Sequence, residues 1–401
     1  LLATEASIYS QAKLGYDIYS HTFGCSPRGI WLPECGYKPQ SEIPSIDKIL
    51  KDIGYSYFIV DTHAIEGGTP IGVYSDKVLG RHRIRPIASR REFTSYLPYI
   101  VEDSDIFVLG RNQRTALQVW SPEWGYPGDG NYREFHRRDP ISGFGYWKVT
   151  SRLVDISAKE VYDPIIASSR AKEHAHHFVE LVERLLLDFK SETGKQGVVV
   201  APFDVELFGH WWLEGLDWLK YVIEGLSKNN CVNAVSALDF LKKYTPDEKI
   251  DLLESSWGLG GGHHIWDNAA TGWMWHDIHT IEKEIQSLVW NSVRRGQQTN
   301  GTDERETLKI RILKQIAREA LLLQSSDWPF LISTLQAKDY GERRFLEHKY
   351  RFERLAHALD KNDFSPETTR FLEQLESIDA IFPRMDITVF TGRAVKGPGK
   401  A

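Results

Sequence analysis

GVVVAPFDVELFGHWWLEG, residues 197–215, joins a nearly continuous apolar run to three acids, a histidine and two adjacent tryptophans. An uninterrupted apolar run of strand length, Gly197 to Phe203, is what a parallel sheet covered on both faces requires, because water reaches neither side. Polar groups at its C-terminal end then fall on the edge where parallel α/β folds collect their catalytic residues. In an extended segment Asp204 and Glu206 point the same way, so periodicity leaves the choice between these two acids open.

Two segments nearer the N-terminus repeat the arrangement. GIWLPE (29–34) is a short apolar strand that ends on Glu34, with Pro33 and Gly36 fixing a turn around it. A carboxylate framed by apolar residues is unusual for a merely solvated acid. YSYFIV (55–60) closes on Asp61, Thr62 and His63, and a strand at 106–109 leads into the polar, glycine-rich stretch 111–146. Helical spacing is expected over 3–19 before Gly24, over 45–53 between Pro44 and Gly54, and over 168–189, with a further strand and helix around 232–244. Repeated strand, loop and helix units imply a parallel α/β sheet or barrel. From Trp273 onward the pattern turns to long helices, among them 278–295, 306–323 and 340–359. The expected division is a catalytic α/β portion over 1–250, a helical domain over 251–385 and a tail over 386–401. The polar run 295–306 reads as a solvated loop.

Composition narrows the function. The 401 residues are 41% hydrophobic and 26% charged, ordinary values for a globular chain, and no apolar run is long enough to span a bilayer. A net charge of -6 gives no reason to expect nucleic acid, and the basic run 81–91 reads as a surface loop. Three cysteines without metal spacing favour a reducing compartment, read as cytoplasm. The unusual counts are 13 Trp and 17 Tyr against 2 Met, since aromatic rings with a polar tip suit the flat faces of sugars. Two carboxyls facing each other across a sugar-binding cleft are the minimum apparatus of glycoside chemistry: at about 5 to 5.5 Å apart one attacks the anomeric carbon while the other protonates the leaving oxygen. No metal or other cofactor is then needed, and His263, His264, His174, His176 and His177 form no ligand quartet. SSWGLGGGHHIW (255–266) lacks the lysine of a phosphate-binding loop and reads either as a mobile glycine loop carrying two tryptophans to a sugar cleft or as a plain loop flanked by core tryptophans.

Three of these motifs, in this order, resemble glycoside hydrolase family 57, and within it the α-1,4-glucan branching enzymes. GIWLPECGY (29–37) resembles the family's nucleophile region, APFDVELFGHWWLEG (201–215) its acid region and SSWGLGGGHHIW (255–266) its last conserved region; the likeness continues through QVWSPEWGYPGDGNYREFHRRD (118–139). The resemblance implies an incomplete (β/α)7 barrel followed by a helical C-terminal domain, retaining chemistry, Glu34 as nucleophile, and Asp204 rather than Glu206 as general acid/base. It further implies that Trp120, Trp257 and Trp266 line the glucan subsites, with Arg111 and the Gly128 turn close by and Asp327 reaching the cleft from the helical domain. The expected partner is an α-glucan such as amylose or a glycogen-like polymer, bound by a monomer. Two departures stand out: the family's first strand, with its histidine motif, has no counterpart before Glu34, so the chain is expected to lack an N-terminal part. The stretch from Ile65 to Arg85, with Tyr74, is shorter than the tyrosine-tipped loop of branching members.

Overall fold

A computed structural model describes residues 2–41, 43–69, 88–121, 124–151, 153–296 and 304–394. Three short strands dictate the site: β1 (Gly29–Trp31), β2 (Tyr57–Val60) and β4 (Phe107–Gly110) run parallel in the order β1-β2-β4. Their register sets Trp31 opposite Ile59 and Val60 opposite Gly110, so all three chains leave the sheet at one edge. The next residues, Leu32 to Glu34, Asp61 and Arg111, are thereby gathered along that edge. Strand β3 (Tyr99–Val101) is antiparallel to β4 and parallel to β5 (Lys249–Ile250), which completes a mixed sheet in the order β1-β2-β4-β3-β5.

Packing fixes the strands in place. Phe58, Val60, Ile106 and Val108 are fully buried and meet Ile49 and Leu50 of helix α2 (Ile46–Ile53). Helix α1 (Glu5–Phe23) covers the same core with Ile8, Ala12 and Tyr16, while its Leu14 enters a second core. That second core belongs to the helices α8 (Gly272–Gly296), α9 (Glu304–Leu323), α10 (Asp327–Thr334), α11 (Lys338–Lys361) and α12 (Pro366–Ile378). The N-terminus of α1 is closed by the buried Glu282 of α8, whose carboxylate accepts from the amides of Ala3 and Thr4. A third core lies between α5 (Pro164–Thr193) and α6 (Gly215–Ser227) and is filled by Tyr126, Tyr132, Trp212 and Trp218. Ala167, Ala171 and Ala175 recur every four residues on α5, a row small enough to let those rings approach the helix.

Several expectations change. Residues 197–203 are not a strand: one bridge, Val200 to Arg111, is all that forms, and the run is half-buried. Its Val199, Ala201 and Phe203 turn to the third core rather than into a sheet covered on both faces. No strand forms near 232, where the Asn229 side chain accepts from the Cys231 and Val232 amides and makes a turn; helix α7 (Ala237–Lys243) follows. Asp61 to His63 continue into a short helix, α3 (Thr62–Glu66), and residues 113–120 form another, α4 (Gln113–Trp120). Residues 387–394, expected to belong to a tail, form a 3-10 turn with Val389 and Phe390 buried in the helical core. Residues 297–303 and 395–401 lie outside the described residues, as does Tyr74 with the whole stretch 70–87.

Gly110 is where this packing touches the site most directly. A Cβ there would meet the Cβ of Ser95 at 2.9 Å and its Cα at 3.1 Å, with Ile65 also crowded. Gly110→Ala should therefore destabilise the protein by about 1–3 kcal/mol and displace Arg111. Chemical denaturation with an unchanged midpoint would contradict this.

Candidate active site

Glu34 does not sit on a strand end as expected. β1 stops at Trp31, and Pro33–Cys35 make a 3-10 turn in which Glu34 has φ 56° and Cys35 φ 49°. Left-handed backbone at a non-glycine residue costs on the order of 1–3 kcal/mol and persists only where its surroundings enforce it. Here the Cys35 amide donates to the Leu32 carbonyl and the Gly36 amide to the Pro33 carbonyl, both at 2.9 Å. The Glu34 carbonyl accepts from the Trp257 amide at 2.9 Å, and the Glu34 carboxylate accepts from the indole N–H of the same tryptophan. Tyr37 and Ser255 exchange amide-to-carbonyl bonds at 2.8 and 3.1 Å and lock the two segments together. Trp31 meets Trp257 edge to face at 5.3 Å and donates its N–H to the Cys35 sulfur at 3.1 Å.

The segment that supplies Trp257 is held by close backbone contacts. Gly260 and Gly261 have φ 69° and 71°, and a Cβ at Gly258 would meet the Trp266 ring at 2.8 Å. The Ser256 amide donates to the Gly261 carbonyl at 2.8 Å, and the Ser256 hydroxyl donates to the Gly262 carbonyl at 2.5 Å. Trp266, expected to line a subsite, is buried beneath this turn and supports it. The glycines are used for close backbone approach to that ring.

Asp204 opens a 3-10 turn over Val205–Leu207. The alternation that made Asp204 and Glu206 equivalent therefore fails: Asp204 is half-buried and Glu206 exposed. Burial raises the Glu34 carboxyl above the usual range; the Trp257 hydrogen bond opposes this, and the charges of Asp204, Asp327 and Glu206 add to it. Burial likewise raises Asp204, assisted by Glu206 and opposed by Arg111. Four acids thus share one field, and two of them, Glu34 and Asp204, are held above the ordinary carboxylate range. The indole N–H opposes protonation of Glu34, but burial outweighs it, so both carboxyls are shifted in the same direction, toward the protonated form.

Arg111 joins the group from β4. Its side chain is buried, donates to Asp61 Oδ2 at 3.1 Å and lies 5.0 Å from the Trp257 ring centroid. Burial alone would raise Asp61, but His63, Arg111 and the Thr62 amide outweigh it and hold the carboxyl below its usual range. Sequence reading noted Asp61 and His63 as a polar strand end and gave them no role; that end position, shared with Glu34 and Arg111, is the signal that could have found them. Nε of Arg111, Nε2 of His63 and the indole nitrogen of Trp120 are buried without a hydrogen-bond partner among the described residues. Trp120, at the end of α4, packs on the third core, and Gly128 lines a pocket with Gln118, Tyr126, Asp129 and Arg170. Asp327, at the start of α10, is exposed, and its charge reaches Glu34 from the helical region.

Residues 1–252 match the family model for glycosyl hydrolase family 57, and residues 292–390 that for the C-terminal region of 1,4-alpha-glucan branching enzyme. A 1,4-alpha-glucan branching enzyme of Thermococcus kodakarensis is 40% identical over 397 residues, covering 95% of this chain and 55% of that relative. The chain thus spans about half the length of that curated relative. Its solved structure, in complex with glucose, superposes with a TM-score of 0.85 at 39% identity, over 98% of this chain and 70% of the other. A branching enzyme from Pyrococcus horikoshii gives 0.82 at 38% identity over 100% and 70%, and an alpha-amylase from Thermotoga maritima 0.76 at 29% over 97% and 70%. The expected fold class, an α/β portion of the incomplete (β/α)7 barrel type followed by a helical region, agrees with these superpositions. With its motifs, geometry and family model in accord over more than half its length, the chain belongs to glycosyl hydrolase family 57.

Proposed function

We propose that the chain carries the catalytic machinery for retaining glycosyl transfer on α-1,4-glucan, forming α-1,6 branches. The observation that carries this reading is the Glu34 carboxylate, clamped by the Trp257 indole and within electrostatic reach of Asp204, Asp327 and Glu206. In the first step a Glu34 carboxylate oxygen attacks C1 of a glucosyl unit, the bond from C1 to the leaving oxygen breaks, and that oxygen takes the proton of Asp204. In the second step Asp204 removes the proton of an acceptor 6-hydroxyl, whose oxygen attacks C1 and frees Glu34. Water in place of the acceptor gives hydrolysis from the same covalent glucosyl-enzyme. The likeness to an alpha-amylase keeps that second outcome in view, while the match at residues 292–390 favours branching.

Arg111, oriented by Asp61, provides a fixed positive charge that acts on Asp204, and Trp120 and Trp257 offer rings to the sugar. The reading treats residues up to about 250 as the catalytic portion and the rest as a helical domain that contributes Asp327. Donor and acceptor glucans are its partners. No helix among the described residues is long and apolar enough to cross a membrane, and all three cysteines are free. The reading takes the chain as a monomer working in the cytoplasm.

Replacing Glu34 by Gln should lower turnover of amylose by a factor on the order of 10³ or more while leaving maltoheptaose binding in place. Full activity in that variant would remove Glu34 from the mechanism. Linkage analysis of the unmutated enzyme's product decides between the two outcomes: new α-1,6 linkages mean branching, and new reducing ends alone mean hydrolysis. Trp257→Phe deletes the one interaction that lowers the Glu34 pKa, so that pKa should rise. Because the nucleophile acts ionised, the acid limb of kcat/KM must then move to higher pH; a limb that stays put would argue against the pair.

A further inference from the structure

The helical core holds a chain of polar groups that the mechanism does not use. Glu319 of α9 and His348 of α11 are fully buried, and the Glu319 carboxylate meets His348 Nδ1 at 2.7 Å and the Gln315 amide nitrogen at 2.8 Å. Arg344, one turn earlier on α11, lies 2.9 Å from His348 Nε2. A guanidinium can only donate, so Nε2 must offer its lone pair and Nδ1 must carry the proton that Glu319 accepts. The tautomer of this buried histidine is thus fixed by its neighbours on both sides. Asp379 adds a third ligand-type atom, all three within 4.8 Å of one another, a grouping of the kind that holds metals. Arg351 donates to Asp379 at 2.7 Å, however, and both nitrogens of His348 are engaged, so the ring has no lone pair left for a cation.

What this chain of groups supports is Trp328, the second residue of α10. The indole lies over the His348 ring, with centroids 6.3 Å apart and planes at 26°, and the Arg344 guanidinium is 5.9 Å from the Trp328 centroid. Its N–H donates to the Leu322 carbonyl at 2.7 Å, and Tyr340 meets its edge at 6.1 Å. Gly341, Arg344, Phe345 and His348 share one face of α11 by their spacing, and α11 packs on both α9 and α10. At Gly341 the approach is so close that a Cβ would meet the Trp328 carbonyl at 3.0 Å. The residue before Trp328 is Asp327, exposed at the start of α10 and bonded to the Ser325 hydroxyl at 2.8 Å. Its charge is felt at Glu34, together with those of Asp204 and Glu206 and against the Trp257 hydrogen bond. A buried histidine and an acid that acts on the nucleophile are therefore joined through one tryptophan.

We propose that His348, held between Glu319 and Arg344, is a positioning residue that acts through Trp328 to seat Asp327 at the cleavage cleft. The proposal rests on the glycosyl-transfer reading above. Turnover of amylose by the intact protein, measured across pH, tests it. His348→Leu, which fills the space without either hydrogen bond, should lower kcat/KM about tenfold, since a small misplacement near the chemistry is costly. Asp327 holds the Glu34 carboxyl up, and Glu34 acts ionised; a displaced Asp327 lets that carboxyl fall, so the acid limb of kcat/KM moves to lower pH. Asp327→Asn should move the limb the same way, and the double variant should lose no more than Asp327→Asn alone. His348→Asn, whose amide can still donate to Glu319, should recover part of the loss. The melting temperature checks folding, and should His348→Leu fail to fold, Arg344→Met, at the partly exposed end of the group, must give the same limb shift. A lower melting temperature with kcat/KM and limb unchanged, or losses that multiply in the double variant, overturns the positioning role. Stabilisation by zinc that His348→Leu abolishes overturns it in favour of a metal site. Retained turnover by Glu34→Gln sinks the catalytic reading and the positioning with it, whereas a Glu34-dependent enzyme with multiplying losses sinks the positioning alone.

Discussion

The site depends on one residue held from two sides. Trp257 gives its backbone N–H to the Glu34 carbonyl and its indole N–H to the Glu34 carboxylate, so one residue fixes an unfavourable backbone and aims the acid it carries. A left-handed glutamate on a free loop would relax to an ordinary conformation. The Tyr37 and Ser255 pairing prevents this by tying the turn to the glycine-rich segment, and Trp266 beneath Gly258 prevents the segment itself from yielding. Rigidity at Glu34 thus comes from residues more than two hundred positions away in the chain.

Sheet topology adds the cationic half of the site. Because β1, β2 and β4 are parallel and in register, Glu34, Asp61 and Arg111 leave the sheet together, though they belong to three separate segments. Asp61 and Arg111 are both buried, a costly arrangement for either charge alone and an acceptable one for the hydrogen-bonded pair. The antiparallel β3 beyond β4 does not disturb this, since it lies on the side away from β2.

Glu34 and Asp204 stood out in the sequence because a carboxylate is conspicuous when apolar residues and Pro frame it. The long helices were legible for a similar reason: periodicity is local, and the expected bounds of α2, α5, α9 and α11 fall within a few residues of those observed. What could not be read was anything settled by distant partners. Residues 197–203 have a strand's composition, yet their apolar side chains find a helical core before they find a second strand. Trp266 has a platform's chemistry and a supporting position. The choice between Asp204 and Glu206 rested on a period of two that a 3-10 turn abolishes. Asp61 was visible only as a polar residue after a strand, because its meaning lies in an arginine fifty positions later.

Helix α1 belongs to two cores at once, with Ile8, Ala12 and Tyr16 in the sheet layer, Leu14 among the distant helices and Glu282 of α8 closing its first turn. A linchpin of this kind couples the melting of one body to that of the other: neither can come apart without stripping apolar surface from its neighbour. The α/β layer and the helices are therefore expected to denature as a single cooperative unit rather than in succession. Contacts between positions so remote also oblige the chain to close very long loops before they form, which favours slow folding.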